Sequence, residues 1–457
     1  MNKFYPIKII QNEKRIVFYP QELNLQPIQT IAFGNLSVIG SAEPHQSKKK
    51  TIEISSSLAE ELHIPDLPLK LHLFEKEGTL FIGPILGIFT AGFTNYPHTP
   101  LGNRSSYFAK LLSLHDQVGV FPIVFGLQHI NWKQGLVTGY FYSENNWQQV
   151  KVPIPNVIYD RLPNRTVENL KMIQEVKMKL SEEYVIPWFN PGFFNKWDIY
   201  VKLRKNNQIK PLLPKTFLLT GAAVIESALE DFHYLYLKPI HGSLGNGIYQ
   251  IKKYKEHYYV RFRDENDETC LYKFTKLTNL INFLKIDEKK NKYIVQEGIP
   301  LITSDNRMID FRVHTNKDEN GDWIVTAIAS KASAQCSPTT HLLLGGTVQT
   351  LQEVFPDDEI RKKNTKKLSQ AAVAVSKELN KYWDAKLAEI GFDIGIDQNG
   401  KVWLFEANAK PGRLIFTHPK LSKNERYTHK LILKYAVNLT KLVIDKPEKI
   451  FHELVLQ

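Results

Sequence analysis

Three polar residues near the end of the chain, Asp393, Glu406 and Asn408, are spaced so that a hairpin would bring them together. Residues 391–397 alternate as a strand does, Asn399-Gly400 is the strongest short signal for a two-residue type I′ turn, and residues 402–407 supply the return strand. Such a turn sets Gln398 opposite Lys401, and counting back sets Asp393 opposite Glu406. With a period of two, Phe392, Ile394 and Ile396 share one face with Trp403, Phe405 and Ala407, while Asp393, Glu406 and Asn408 share the other. Directly opposed residues have Cβ atoms about 4.5–5.5 Å apart, where like charges repel, so a compensating positive charge is expected. Hard oxygen donors in one patch suit Mg2+, which takes one or two carboxylates and completes its shell with phosphate and water. Taken alone, the spacing reads first as a solvated polar hairpin face, and the rest of the chain changes that.

Earlier in the chain, the strand-like run 234–239 ends in Lys238-Pro239 and is followed by His241-Gly242-Ser243-Leu244-Gly245-Asn246-Gly247 and a second strand, 248–252. Three glycines in six residues let the backbone approach a ligand with N–H groups directed at anionic oxygens. No G-K-[ST] ending is present and a strand, not a helix, follows, so neither standard glycine motif applies. The segment reads as a hairpin flap with Lys238 as a cation at its base; an ordinary glycine hairpin with a surface lysine is the plain alternative. The run 293–298 ends in Gln296-Glu297-Gly298, where a strand end can offer backbone groups to a base and a carboxylate to ribose hydroxyls. Residues 308–315 alternate, placing Asp310, Arg312 and His314 on one face, and a strand-held arginine offers a rigid fork to phosphate or carboxylate. His341 and Gly345-Gly346 form a further glycine loop able to approach a substrate.

The elements that must position these groups are those of a large α/β chain. With 457 residues, 43% apolar and 11% aromatic, two to four domains with ample core are expected. Residues 1–76 read as a small β-rich domain, with strands at 7–10, 30–33 and 69–74 and an exposed loop at 43–50. Residues 77–192 read as a small α/β domain: strand 80–89, helix 103–114, strand 119–125, strand 157–159 and a helix near 167–180. Residues 193–457 form the third unit, strand pairs alternating with helices. Two cysteines, Cys270 and Cys336, cannot build a disulfide framework, which fits a reducing interior and a cytoplasmic location. The N-terminus lacks the apolar run of a signal peptide, and the most apolar stretch, 80–93, is too short to span a bilayer. A net charge of +12 asks for an anionic partner or none at all, and the densest basic cluster, Lys362, Lys363, Lys366 and Lys367, falls on the polar face of a helix whose other face is Leu368, Ala371, Ala372, Val375 and Leu379. That pattern is a solvated helix face and argues against a nucleic-acid partner.

The order of the motifs (Lys-Pro with a glycine flap, a Gln-Glu strand end, Asp-x-Arg, then Asp…Glu-x-Asn-x-x-Pro-Gly) resembles the ATP-grasp fold over about residues 195–420. Glu406 to Gly412 is similar to the metal-binding end of D-alanine–D-alanine ligases, and Gly345-Gly346 with Asn195-Lys196 to bacterial glutathione synthetases. Residues 78–190 resemble the pre-ATP-grasp domain, and the whole chain looks like the YheC/YheD group of endospore coat-associated ATP-grasp proteins. The resemblance implies that Lys238, Lys196, Gly242, Ser243, Gly245 and Gly247 hold the ATP phosphates, and that Gln296, Glu297 and Ile299 line the adenosine. It implies Mg2+ on Asp393, Glu406 and Asn408, Arg312 and Lys238 as the catalytic cations, and substrate beside Arg312, His341, Gly345 and Gly346. The activity implied is ATP- and Mg2+-dependent ligation of a carboxylate to an amine, such as that of an amino acid or peptide, through an acyl phosphate, with spore coat proteins as further partners. A small-molecule kinase and a non-enzymatic coat scaffold are the alternatives. Retention of Lys238, Arg312, Asp393, Glu406 and Asn408 argues against the scaffold.

Overall fold

The computed structural model describes residues 4–242, 245–334, 345–383 and 386–450. Four sheets follow one another along the chain. The first has eight strands drawn from Phe4–Ile10 to Thr79–Gly83. The second is built on Ile85–Phe89, which pairs in parallel with both Phe121–Phe125 and Val157–Asp160. The apolar stretch expected as one strand over residues 80–89 is therefore two strands belonging to two sheets, divided at Gly83-Pro84. Proline lacks the N–H that a continuing strand would need, and that ends the first strand. The loop expected over residues 43–50 is also shortened, because Ser41–Pro44 pairs with Ile16–Tyr19 and His45 is buried.

The third sheet is antiparallel, in the order Thr216–Leu218, Tyr293–Glu297, Tyr234–Pro239, Tyr249–Tyr254, His257–Arg263, Thr269–Phe274. Helices Ala222–Asp231 and Leu277–Phe283 pack on one face of it through Ile225, Leu229 and Leu280. The fourth is antiparallel too, in the order Thr347–Gln349, Trp323–Ala332, Arg307–Lys317, Glu389–Ile396, Val402–Asn408. Alternation along Arg307–Lys317 buries Ile309, Phe311 and Val313 against the helix Asp358–Lys381, whose Leu368, Ala372, Val375 and Leu379 complete that core. Lys362, Lys363 and Lys366 stand exposed on its far side, as the spacing required; Lys367 is half-buried and donates to the Gly400 carbonyl at 2.5 Å.

The second sheet is tied to the fourth. The helix Ser422–Asp445 packs Ile432, Leu433, Ala436 and Leu439 into a cluster that also contains Leu86, Ile88, Tyr159 and Phe189. Asn190 works as a clamp: its amide donates to the carbonyls of Glu389 (2.8 Å) and Ala409 (2.6 Å), and its side-chain oxygen accepts from Ala388 N–H at 2.9 Å. A buried amide with its donors and acceptor all paired fixes the edge of one sheet against another. Through it the carboxyl end of Val157–Asp160 is held beside the strands that carry Asp393 and Glu406.

Candidate functional site

Between the third and fourth sheets, and against the end of the second, lies a cavity of about 600 Å³. The hairpin Glu389–Ile396 / Val402–Asn408 forms its floor. Asp393 pairs with Glu406 in the observed register, as counting from the turn requires. The route to that pairing differs from the expectation. Asp397 N–H bonds to the Lys401 carbonyl, the loop has three residues (398–400), and Gly400 alone is left-handed, with φ +76°. Asp397 selects this loop by accepting the N–H groups of Asn399 and Lys401, both at 2.9 Å. The register near the turn is thereby one residue out, and a bulge at Phe405 restores it. Hence Trp403 and Phe405 do not face the core with Ile394 and Ile396: Val402 and Leu404 do, and Phe405 lines the cavity beside Glu406. Glycines flank Asp393 on the cavity face. A Cβ on Gly391 would sit 2.5 Å from Pro411 Cβ, and one on Gly395 would meet Leu301 and Phe405 at 2.5 and 2.6 Å.

The two carboxylates are not left to repel each other. Asp393 accepts from Arg312 Nε at 2.9 Å and Nη2 at 3.1 Å, and from Lys331 Nζ at 2.7 Å. Burial alone would raise its pKa, but these two cations outweigh that and hold it well below the usual carboxylate range. Glu406 Oε1 lies 3.1 Å from Lys196 Nζ, which also donates to the Gly242 carbonyl at 2.6 Å. Compensation thus comes from the protein itself, and the arginine fork expected to be open to a ligand is closed on Asp393. Asp310 and Lys331, directly paired across the strands, complete the group at 3.2 Å. Lys331 was not singled out from the sequence, although counting back from Asn320-Gly321 as a hairpin turn sets it opposite Asp310.

Among the described residues, Lys238 has no such partner. It sits in the strand Tyr234–Pro239 and donates to Gln296 Oε1 at 2.6 Å, and its Nζ lies 5.2 Å from the Tyr236 ring and 5.7 Å from that of Phe405. Burial pushes its pKa down to about 8, against the pull of Glu406. Gln296 in turn donates to Thr216 Oγ1 at 3.1 Å and is buried, while Glu297 accepts from Lys215 N–H at 3.0 Å. Ile299, Gly242 and Gly245 line the cavity; neither Gln296 nor Glu297 is among the lining residues described. Gly245 and Gly247 take φ of +79° and +69°, open chiefly to glycine. Gly346 borders a separate cavity of about 390 Å³, and Leu414 lines both. Ser243, Cys336 and His341 lie outside the described residues. His314 shares the face of Arg312 but is fully buried against Phe416; burial, then Arg413 and Arg312, keep it neutral.

Arg161 and Arg165 enter the cavity from the end of the second sheet, and no spacing rule marked them. Arg165 donates to the carbonyls of His241 (2.9 Å) and Phe194 (2.6 Å). Among the described residues, seven cations line the cavity (Arg161, Arg165, Lys196, Lys238, Arg312, Lys331 and Lys410) against three carboxylates, Asp310, Asp393 and Glu406. Among the described residues, Lys238 and Arg165 make no ion pair with a carboxylate, so the positive excess is concentrated on them. As a cation site, Asp393, Glu406 and Asn408 offer only oxygen, a donor set that fits Mg2+. No group of three His, Cys, Asp or Glu side chains converges among the described residues, and both Asp393 oxygens are occupied, which leaves Glu406 and Asn408 as the freer ligands.

With this geometry, comparison with known proteins places the chain. The profile of a family described as YheC/D like ATP-grasp matches residues 185–439. The endospore coat-associated protein YheD of Bacillus subtilis (strain 168) is 38% identical over 98% of this chain and 99% of its own length. YheC of the same organism is 23% identical over 60% of this chain and 75% of its own. A D-alanyl-alanine synthetase A from Vibrio cholerae superposes with a TM-score of 0.46 at 13% identity, covering 78% of this chain and 98% of that one. The fold is that of an ATP-grasp protein. Within that class, the chain belongs to the YheC/D-like family.

Proposed function

We propose that this chain is an ATP- and Mg2+-dependent ligase that joins a carboxylate to an amine. The observation that carries the reading is the pair of cavity cations whose partners among the described residues are neutral, Lys238 on Gln296 and Arg165 on two carbonyls, in a described lining where cations outnumber carboxylates seven to three. A buried cation without a counter-charge is costly, and a polyphosphate supplies what is missing. Lys238, Lys196 and Arg165 would hold the phosphates, with the N–H groups of the Gly242–Gly247 segment closing over them. Tyr236, Ile299, Leu301 and Met308 supply the apolar part of the lining, suited to a base. Asp393, Glu406 and Asn408 would hold Mg2+, which neutralises phosphate charge when bound. Arg312 and Lys331 fix the Asp393 carboxylate, and Arg312 Nη1, the donor not bonded to Asp393, is the one left to steady a transferring phosphoryl or acyl-phosphate oxygen.

In this reaction the acid attacks the γ-phosphorus of ATP, ADP leaves, and the amine displaces phosphate from the acyl phosphate to give an amide. Positioning and charge neutralisation suffice; no covalent protein nucleophile is needed. We further propose the division into units at about residues 1–76, 77–192 and 193–457, and a cytoplasmic site of action at the developing spore coat. The names of both Bacillus relatives support the latter. The test is ADP release by the full chain over a panel of amino acids and short peptides, with products read by mass spectrometry. An amide supports the ligase, a stable phosphoester would make the chain a kinase, and ADP release by no member of the panel sinks the reading.

A further inference from the structure

The strand Val157–Asp160 runs parallel within the second sheet, and Arg161 follows at its carboxyl end, where it lines the cavity. Open α/β sheets bind ligands beyond the carboxyl ends of their strands. Behind Arg161 the charges do not balance. Glu389, fully buried, takes Arg413 Nη2 at 2.5 Å, Arg161 Nη1 at 3.3 Å and the Tyr159 hydroxyl: one carboxylate for two guanidiniums. Among the described residues Arg104 bonds to the neutral Thr90 Oγ1 and Ala91 carbonyl and to no carboxylate, and burial and repulsion from Arg161 both lower its pKa. Lys177 and Lys410 share Asp160 and Glu168, at 2.6–3.2 Å. Five cations therefore face three carboxylates. The Tyr107 ring lies 5.2 Å from the Arg161 guanidinium and 5.7 Å from that of Arg413. The Tyr107 hydroxyl and Arg413 Nε are buried and have no hydrogen-bond partner among the described residues.

Unmatched donors and excess positive charge directly behind Arg161, which itself lines the cavity, make its end a site for a small oxyanion. The loop after Asn408 joins this end to the Asp393–Glu406 pair, since residues 408–412 all line the cavity and Arg413 follows. Phe193, Leu414 and Ile415 give the stretch between an apolar wall. We propose that Arg161, backed by Arg413 and Tyr107, is the subsite for a free carboxylate at the end of the substrate remote from the reacting group. This rests on the ligase reading above, and it makes the substrate an amino acid or short peptide with a free carboxyl terminus. The anionic substrate expected beside Arg312 is thereby moved to a different arginine, the Arg312 fork being closed on Asp393.

The test compares thermal unfolding of the full chain, with ADP and Mg2+ present, on adding amino acids and dipeptides or their carboxyl-terminal amides at about 10 mM. At least one free acid should raise the melting temperature by a few degrees and its amide should not. Arg161→Gln should abolish that shift. Tyr107→Phe removes a hydroxyl with no protein partner among the described residues, so it should leave the unliganded melting temperature unchanged and weaken the acid about tenfold or more, the effect of one hydrogen bond to a charged group. Equal shifts from acid and amide, an undiminished shift in either variant, or no shift from any acid overturns the subsite. Absence of any stabilisation by ADP and Mg2+ alone strikes the nucleotide reading instead, so the two failures are told apart.

Discussion

Lys238 carries a charge that the folded protein disfavours, and that has a measurable sign. Its pKa falls from 10.5 to about 8, chiefly through burial. Below pH 8 both folded and unfolded chains hold the proton, and the buried charge costs about 3 kcal/mol. Between about pH 8 and 10.5 the folded state has released the proton and the unfolded state has not, so this penalty fades as pH rises. Replacing the lysine with Met should therefore raise the melting temperature at pH 7, and the difference should shrink by pH 10. Anionic phosphate bound beside Lys238 would restore its pKa to the ordinary range. ATP binding must then take up a proton: about 0.1 at pH 7, about 0.5 at pH 8 and about 0.9 at pH 9, by titration of one group. Isothermal titration calorimetry in buffers of different ionisation enthalpy reads this number, and subtracting the same series for Lys238→Met removes the titration of ATP itself. ATP affinity should also fall above pH 8, by up to about tenfold per pH unit. A proton uptake that is flat from pH 7 to 9, or an unchanged affinity in the Met variant, would refute the assignment of Lys238 to the phosphates.

Four further outcomes follow from the same contacts. Asp393→Asn should destabilise the protein by about 3–5 kcal/mol in denaturant unfolding, because it strands Arg312 in a buried site and leaves Lys331 with Asp310 alone; the wild-type contribution is present above the ordinary carboxylate range and is lost as pH falls below about 4. Glu406→Gln, which removes an ion pair with Lys196, should cost about 1 kcal/mol or less yet erase the Mg2+-dependent part of the thermal shift produced by ATP. Arg165→Gln keeps donors for the two carbonyls but not the charge, so calorimetry should find ATP weakened about tenfold and adenosine unaffected. Gly391→Ala should cost about 1–3 kcal/mol through its clash with Pro411, and circular dichroism melts check this.

The chemistry-bearing strand residues were legible because alternation and pairing are local properties. Asp310, Arg312 and His314 share a face as their spacing requires, and Asp393 meets Glu406. What stayed hidden depends on long-range packing. Arg161 and Arg165 reach the cavity because the Asn190 clamp and the helix Ser422–Asp445 bring the second sheet against the fourth, contacts made with residues some two hundred positions or more along the chain. The partners of Asp393 were hidden for a similar reason. Lys331 arrives from the strand beyond Arg307–Lys317, and only pairing all three strands places it on the carboxylate.

The two hairpins of the fourth sheet explain why a wrong turn still gave a right pair. Both loops read Asp-x-Asn-Gly-x, at 318–322 and 397–401, and in both the aspartate side chain accepts the N–H groups two and four residues on. That capping favours a three-residue loop with a left-handed glycine, Gly321 at +84° and Gly400 at +76°, over the two-residue turn that Asn-Gly alone suggests. Each loop shifts its strands by one residue, and each hairpin then has a bulge, at Thr326 and at Phe405, that shifts them back before the cavity is reached. A one-residue slip would turn every side chain to the opposite face, so without the second bulge Asp393 and Glu406 would no longer stand opposite each other. The bulges therefore do more than correct a register. At Phe405 two consecutive residues, an aromatic ring and a carboxylate, are turned toward the cavity, and the ring is one of the two that flank Lys238. The same irregularity that sets the carboxylate pair also turns the Phe405 ring toward Lys238, so the carboxylate pair and the buried lysine are coupled through a single extra residue in one strand.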